Sequence, residues 1–116
     1  MMSKTIYHMC LRTEWQAAVA ADVYKGSSQD QADGFIHFST GSQVEESARR
    51  HRAGQADLVL LSVDAARLGD ILRWEEARGG QLFPHLYGPL PINAVMEVRD
   101  LPLDQKGLHR FPLLED

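Results

Sequence analysis

The sequence predicts a single α+β domain spanning residues 1–116, and two observations lead to this class. The length of 116 residues is typical of one compact domain, and 44% of the residues are hydrophobic, which is enough to form a core. The segments with strand or helix periodicity follow one another in the order β-α-β-α-β-β-β. This order lacks the regular alternation of a doubly wound fold and therefore favours α+β.

The first strand is predicted at residues 4–10, which are rich in β-forming side chains and place His8 near the strand end. A helix over residues 14–22 follows, because apolar side chains recur there at helical spacing. Thr13 is its expected N-cap, and Gln16 stands three residues later as the capping-box partner.

Residues 24–34 are polar and rich in turn-forming side chains, so we expect the longest flexible stretch and a candidate lid there. A second strand is predicted at residues 35–39. Because side chains alternate along a strand, Phe35, His37 and Ser39 share one face of it.

A second helix is predicted between Ser42 and Gly54. Ser42 is the expected N-cap, Glu45 occupies the capping-box position, and Gly54 is a typical stop. The basic run at residues 49–52 suits the C-terminal end of a helix and could also face a phosphate.

Three more strands are predicted in the remaining chain. Residues 57–64 form a nearly continuous apolar run, which indicates a central strand covered on both faces. A short strand is expected at residues 71–76 and the last one at residues 92–101, with a proline-braced loop at residues 83–91 between them. We expect the tail, residues 102–116, to wrap over the body of the domain.

Charge and composition restrict the classes of partner. A net charge of −4 argues against broad nucleic-acid binding, which depends on Lys and Arg. No apolar run approaches the ~18 residues of a membrane span, and the N-terminal segment lacks the apolar core of a secretory signal. Cys10 is the only cysteine, which excludes an intramolecular disulfide and fits a reducing compartment. We therefore expect a cytoplasmic protein whose partner is a small molecule.

Three histidines, His8, His37 and His85, are the first candidates for a functional site. Each also has a structural interpretation, either as a strand or core histidine bonded to a neighbouring group or as part of a rigid turn. Ser39 and Thr40 follow His37 and precede a helix. They could cap that helix or, beside its free N–H groups, bind an anion or a ribose.

The loop at residues 83–91 carries two of the candidates, His85 and Tyr87. Its prolines fix φ and Gly88 permits a turn, so the loop could hold both side chains in a fixed geometry or simply form a rigid turn. Glu75, near a strand end, is a further candidate for a polar role.

A metal site and a hydrolase triad are the chemical alternatives. Three histidines can hold zinc with an open position, but no HxH or HxxxH pair preassembles ligands. Ser39 is not in a GxSxG elbow, and Cys10 lies in no recognised nucleophile motif.

Five segments together resemble the bacterial proteins grouped as domain-of-unknown-function family 952. They are IYHM, GFIHFST, LLSVD, LRWEE and FPHLYGPLPINAV, and the match covers about residues 6–101. GFIHxS and FPHLYGPL, in this order, are the most specific. The resemblance implies a small single-domain protein with no established activity and leaves residues 102–116 as a C-terminal extension.

A remoter resemblance concerns the NAD-dependent ADP-ribosyltransferases. In their core, a first strand ends in His and a second strand runs from Gly to a Ser or Thr that leads into a helix; His8 and residues 35–40 match these pieces. The resemblance implies a split, mostly antiparallel sheet flanked by two helices, with a cleft between the half-sheets. It makes NAD the candidate cofactor, with His8 on the ribose.

We expect the candidate side chains to converge on this cleft and weigh three functions. A cluster of titratable groups favours group transfer on NAD or a related nucleotide. The strand after residues 83–91 does not open with the Glu that orients the acceptor in those enzymes, which favours a non-catalytic binding module. A histidine-based metal-dependent hydrolase is the third. The expected ligand contacts are His8, His37, Ser39, Thr40 and Tyr87, and the expected catalytic groups are His85 and Glu75.

Overall fold

Two three-stranded antiparallel sheets form the framework of the computed structural model, which describes residues 4–115 and, at Arg78, the backbone alone. The first sheet has the order β1-β3-β6 and the second has the order β2-β5-β4. The strands are β1 (Thr5–Leu11), β2 (Ile36–His37), β3 (Leu58–Asp64), β4 (Leu72–Glu76), β5 (Leu82–Leu86) and β6 (Val95–Leu101), and the α-helices are α1 (Arg12–Ala21), α2 (Ser28–Asp33) and α3 (Val44–His51). The predicted α+β class and the antiparallel pairing are confirmed.

The central strand β3 is covered on both faces, as its apolar run predicted. Residues 58–63 are all buried. Side chains at alternate positions enter two different clusters: Val59 and Leu61 join one beneath α1, and Leu58 and Leu60 join the other with Val44 of α3. Burial on both faces explains why this strand has no polar side.

The two sheets are joined where the chain leaves β2. Tyr7 and Ser39 exchange two backbone hydrogen bonds of 2.8 Å, so residue 39 continues the pairing onto β1 of the first sheet. The backbone N–H of Phe38 donates to the carbonyl of Pro84 at 3.0 Å and stays with the second sheet. The sheet is therefore split at residues 38–39.

The stretch expected as a flexible lid contains a short capped helix, α2, which its composition did not predict. The N–H of Asp30 donates to Oγ of Ser27 at 3.2 Å, and the N–H of Ser27 donates to Oδ2 of Asp30 at 2.8 Å. Gly34 ends the helix with φ of 88°, a value that glycine adopts without strain. Ser, Asp and Gly serve both turns and helix caps, which is why composition alone indicated a loop.

Helix boundaries also differ from the prediction. Helix α1 begins at Arg12, and its capping contact is the N–H of Leu11 on Oε1 of Glu14 at 2.9 Å, in place of the expected pair Thr13 and Gln16. For α3 the cap position is Gln43, without a side-chain capping bond, one residue after the expected Ser42.

The predicted loop at residues 83–91 begins as a strand, β5, which includes His85. The loop was predicted because its prolines fix φ and Gly88 permits a turn; Pro84 in addition lacks the N–H that a strand residue can donate. Its carbonyl faces Phe38, where the two-residue β2 has already ended, so the missing donor interrupts no pair of β2. Beyond β6, the backbone of Glu115 bonds the Tyr7 hydroxyl, and the tail lies over the second cluster through Phe111 and Leu114.

Candidate functional site

One face of the second sheet carries most of the candidate side chains. The strand register places His37 opposite His85, and His85 opposite Arg73. Because side chains alternate, the neighbours Ile36 and Leu86 point the other way, into the core. The histidines of GFIHFST and FPHLYGPLP are therefore adjacent, with ring centroids 5.6 Å apart.

His37 lies between two carboxylates of α2. Its Nδ1 is 2.6 Å from Oδ1 of Asp30, and its Nε2 is 3.1 Å from Oδ2 of Asp33. Carboxylate oxygens only accept hydrogen bonds, whereas a neutral imidazole has a single N–H. Both ring nitrogens of His37 therefore face carboxylate oxygens of α2.

Asp30 is a buried carboxylate, with 3% of its surface exposed, and it organises this part of the site. Besides the cap on Ser27, it accepts the backbone N–H of His37 at 3.1 Å. Burial acts to raise its pKa, but the hydrogen bonds from the His37 ring and from the backbone N–H groups outweigh burial and lower the pKa to about 2. Asp30 is therefore ionised across the physiological range.

His85 is held by Glu75 from the neighbouring strand. Its Nδ1 is 2.8 Å from Oε1 of Glu75, and the Tyr87 hydroxyl donates to the same oxygen at 2.7 Å. These hydrogen bonds, first from Tyr87 and then from His85, lower the pKa of Glu75. The ring of Phe35 stacks on His85 with centroids 4.2 Å apart. The second nitrogen of His85, Nε2, has no hydrogen-bond partner among the described residues.

His8 uses both ring nitrogens inside the protein. Nδ1 donates to the carbonyl of His37 at 2.5 Å, and Nε2 accepts from the Tyr24 hydroxyl at 2.7 Å. Burial lowers its pKa and outweighs Asp30, which lies 3.5 Å away. His8 is thus a neutral support for the backbone of His37, and no ring nitrogen is left for the ribose contact expected of it.

Ser39 and Thr40 separate in the structure. Oγ of Ser39 lies 3.3 Å from Oγ of Ser47 on α3. Thr40 instead faces the turn before α3, where its N–H donates to the side chain of Gln43 and its hydroxyl pairs with Ser42.

A cleft of about 730 Å³ lies between β1 of one sheet and β2 and β5 of the other, with α2 and α3 at its sides. Of the predicted site residues, His8, His37, Ser39 and His85 line it. Thr40, Glu75 and Tyr87 are not among the lining residues, so Glu75 and Tyr87 reach the cleft only through His85. The lining residues that sequence reasoning missed include Asp30 and Asp33, whereas Arg52 belongs to the basic run that was expected either to suit a helix end or to face a phosphate.

Within residues 4–115, no group of three or more His, Cys, Asp or Glu side chains is arranged to hold a metal ion. The metal-dependent alternative consequently has no ligand set in the described part of the chain. In the same part, no helix has the length and apolar character needed to cross a membrane.

Comparison with known families identifies the group to which the chain is related. The model of the family described as proteins of unknown function, DUF952, matches residues 9–98, most of the chain. The chain belongs to this family. A comparison with curated proteins gives no match.

Solved structures of a similar protein have the same fold. Protein CC0527 from Caulobacter crescentus, a structural genomics target, is 49% identical in its crystal form, with 91% of this chain and 93% of that chain covered and a TM-score of 0.89. Its solution NMR structure is 50% identical over 90% of each chain, with a TM-score of 0.80. In the present chain, His37 and His85 both lie within residues 9–98, the segment that the family model matches.

Proposed function

We propose that the cleft binds a small ribose-bearing ligand, with NAD or a related nucleotide as the first candidate, and assists group transfer by acid–base chemistry. One observation carries this proposal: two carboxylate-paired histidines stand side by side at the wall of one cleft. The cleft volume of about 730 Å³ falls within the range of small-molecule sites. NAD is suggested by the resemblance of the first two strand motifs to ADP-ribosyltransferases.

His85 is the catalytic residue of this proposal. With Nδ1 held by Glu75, its Nε2 can take the proton from a hydroxyl or water that bonds to the ribose carbon as the ribose–nicotinamide bond breaks and nicotinamide leaves. Glu75 is a positioning residue because it acts through His85, and Tyr87 restrains Glu75 in turn. His37 has both ring nitrogens on carboxylates, so it shapes the cleft wall beside His85, and Ser39 contributes a hydroxyl.

A binding module without turnover is the second candidate. It is favoured by His8, whose two nitrogens are both engaged inside the protein, so the ribose contact of the ADP-ribosyltransferases has no counterpart at this position. Both candidates place the protein in the cytoplasm, where a lone buried thiol stays reduced and nucleotides are abundant.

Binding and turnover can be separated with three proteins: wild type, His85→Gln and Glu75→Gln. We expect NAD or ADP-ribose to raise the melting temperature of all three. Nicotinamide release, followed by NMR over long incubations, should fall roughly 100-fold or more in His85→Gln, the usual loss on removing a general base.

Three results decide the proposal. Absence of any melting-temperature shift with NAD, ADP-ribose and mononucleotides would exclude a nucleotide ligand. Binding without nicotinamide release in wild type selects the binding module. Equal release by wild type and His85→Gln would remove His85 from the chemistry.

A further inference from the structure

The side of the cleft formed by the end of α3 holds an arginine without a carboxylate partner. Arg52 follows α3 directly and lines the cleft. Its guanidinium donates to two neutral acceptors, Oε1 of Gln55 at 2.9 Å and the carbonyl of Met9 at 3.1 Å. Within residues 4–115 it forms no ion pair, and the donors beyond these two bonds have no described acceptor.

The neighbouring arginines of α3 show the contrast. Arg49 and Arg50 both pair with Glu46 on the outer surface of the helix, and neither borders the cleft. A positive charge at a helix C-terminus is favourable, which accounts for the basic run as a whole. The helix C-terminus does not explain why Arg52 lines the cleft and is held there by two neutral acceptors.

Carboxylates that line the same cleft are already engaged elsewhere. Asp30 and Asp33 hold the two nitrogens of His37, and Glu14 accepts the N–H of Leu11. None of these three carboxylates forms an ion pair with Arg52, so no carboxylate that lines the cleft neutralises its charge directly. Burial is the main reason for the lowered pKa of His8, and Arg52 adds to it.

We infer that Arg52 marks an anion subsite in the cleft and that the group it takes is a phosphoryl group of the ligand. A guanidinium offers parallel N–H donors that match two oxygens of one phosphate. The hydroxyls of Ser39 and Ser47, 3.3 Å apart, line the same cleft and can share in the contact. The inference deepens the proposed function, since it assigns the ligand an anionic part on the α3 side and leaves the reacting part to His37 and His85.

The test measures binding of inorganic phosphate and pyrophosphate to the full chain by amide and arginine-Nε NMR shifts at constant ionic strength. We expect saturable shifts at Arg52 and Ser39 in wild type and an affinity weaker by about tenfold or more in Arg52→Gln. Arg52→Lys, which keeps the charge and loses the planar fork, should lie between them. Arg49→Gln is the matched control, because it removes the same charge from the same helix outside the cleft and should bind as wild type.

Several outcomes would overturn the inference: shifts in wild type that never saturate, equal affinity in wild type and Arg52→Gln, or acetate bound as tightly as phosphate. An unfolded Arg52→Gln is recognised by its circular dichroism, and Arg52→Lys then carries the comparison. If pyrophosphate binds through Arg52 while NAD and ADP-ribose do not bind, the subsite stands and the nucleotide proposal fails.

Discussion

His8 and Asp30 show how single residues here serve the site without offering a free group to a ligand. His8 supports the carbonyl of His37, and Asp30 holds both the ring and the backbone N–H of the same residue. The position of His37 thus depends on two buried neighbours, one neutral and one ionised. Such supporting contacts leave little trace in a sequence, because an Asp in a polar stretch is usually exposed to solvent.

Replacing Asp30 by Asn should destabilise the fold by about 2–4 kcal/mol, because the amide cannot accept every N–H that the carboxylate accepts and leaves buried donors unpaired. Chemical denaturation at neutral pH measures the loss. Asp33→Asn is the matched control: its carboxylate is partly exposed, so its replacement should cost about 1 kcal/mol or less. Equal losses of unfolding free energy in the two variants would show that the buried carboxylate of Asp30 stabilises the fold no more than the exposed one of Asp33.

At the scale of elements, the sequence predicted the strands better than it predicted the segment between α1 and β2. The strand β3 was predicted from its nearly continuous apolar run, and its residues 58–63 are all buried in the structure. Helix α2 has only six residues and is defined by its caps, so it carries no apolar periodicity. At Pro84 the sequence predicted a loop and the structure has a strand. Proline is tolerated in β5 because its partner β2 is only two residues long.

The sequence predicted only part of the candidate site, because local patterns identify single residues and do not specify which strands and helices come together. Strand alternation brings together His37 and His85, and both could be proposed from GFIHFST and FPHLYGPLP. The pairing of β2 with β5, which makes them neighbours, is a long-range contact that no local pattern specifies. Asp30 and Asp33 reach the site through α2 and became visible only with the tertiary structure, which also shows that Arg52 is the arginine of the basic run that lines the cleft.

Removing the cap of α2 tests whether this segment is a helix or a lid. Ser27→Ala should cost about 1 kcal/mol of stability and increase amide exchange through residues 28–33, because the N–H of Asp30 loses its acceptor. Ser28→Ala, at the exposed first position of the helix, should change little. Fast exchange of these amides already in wild type would mean that the segment is flexible after all.

For the whole molecule, the ionised Asp30 links stability to pH. Its pKa is lowered from 3.8 to about 2 in the fold, so the unfolded chain takes up a proton first as the pH falls. The contribution is complete above about pH 5 and is lost progressively between about pH 5 and pH 1; about 2 kcal/mol of it disappears between pH 4 and pH 2.

Denaturation of wild type and Asp30→Asn at pH 5, 4, 3 and 2 measures this link. Other carboxylates lower the stability of both proteins in acid, and the difference between the two proteins should shrink by about 2 kcal/mol from pH 4 to pH 2. A difference that stays constant over this range would mean that Asp30 does not titrate as the geometry requires.

The joint response of His37 and His85 to a ligand is the central claim for the molecule. It is tested most directly by long-range ¹H–¹⁵N NMR of the imidazole nitrogens during titration with ADP-ribose. The account predicts that Nε2 of His85 and the ring of His37 shift together and saturably, while His8 keeps a neutral ring protonated at Nδ1 throughout. Unchanged His37 and His85 resonances at saturating ligand, or a ligand response confined to residues outside the cleft, would contradict it.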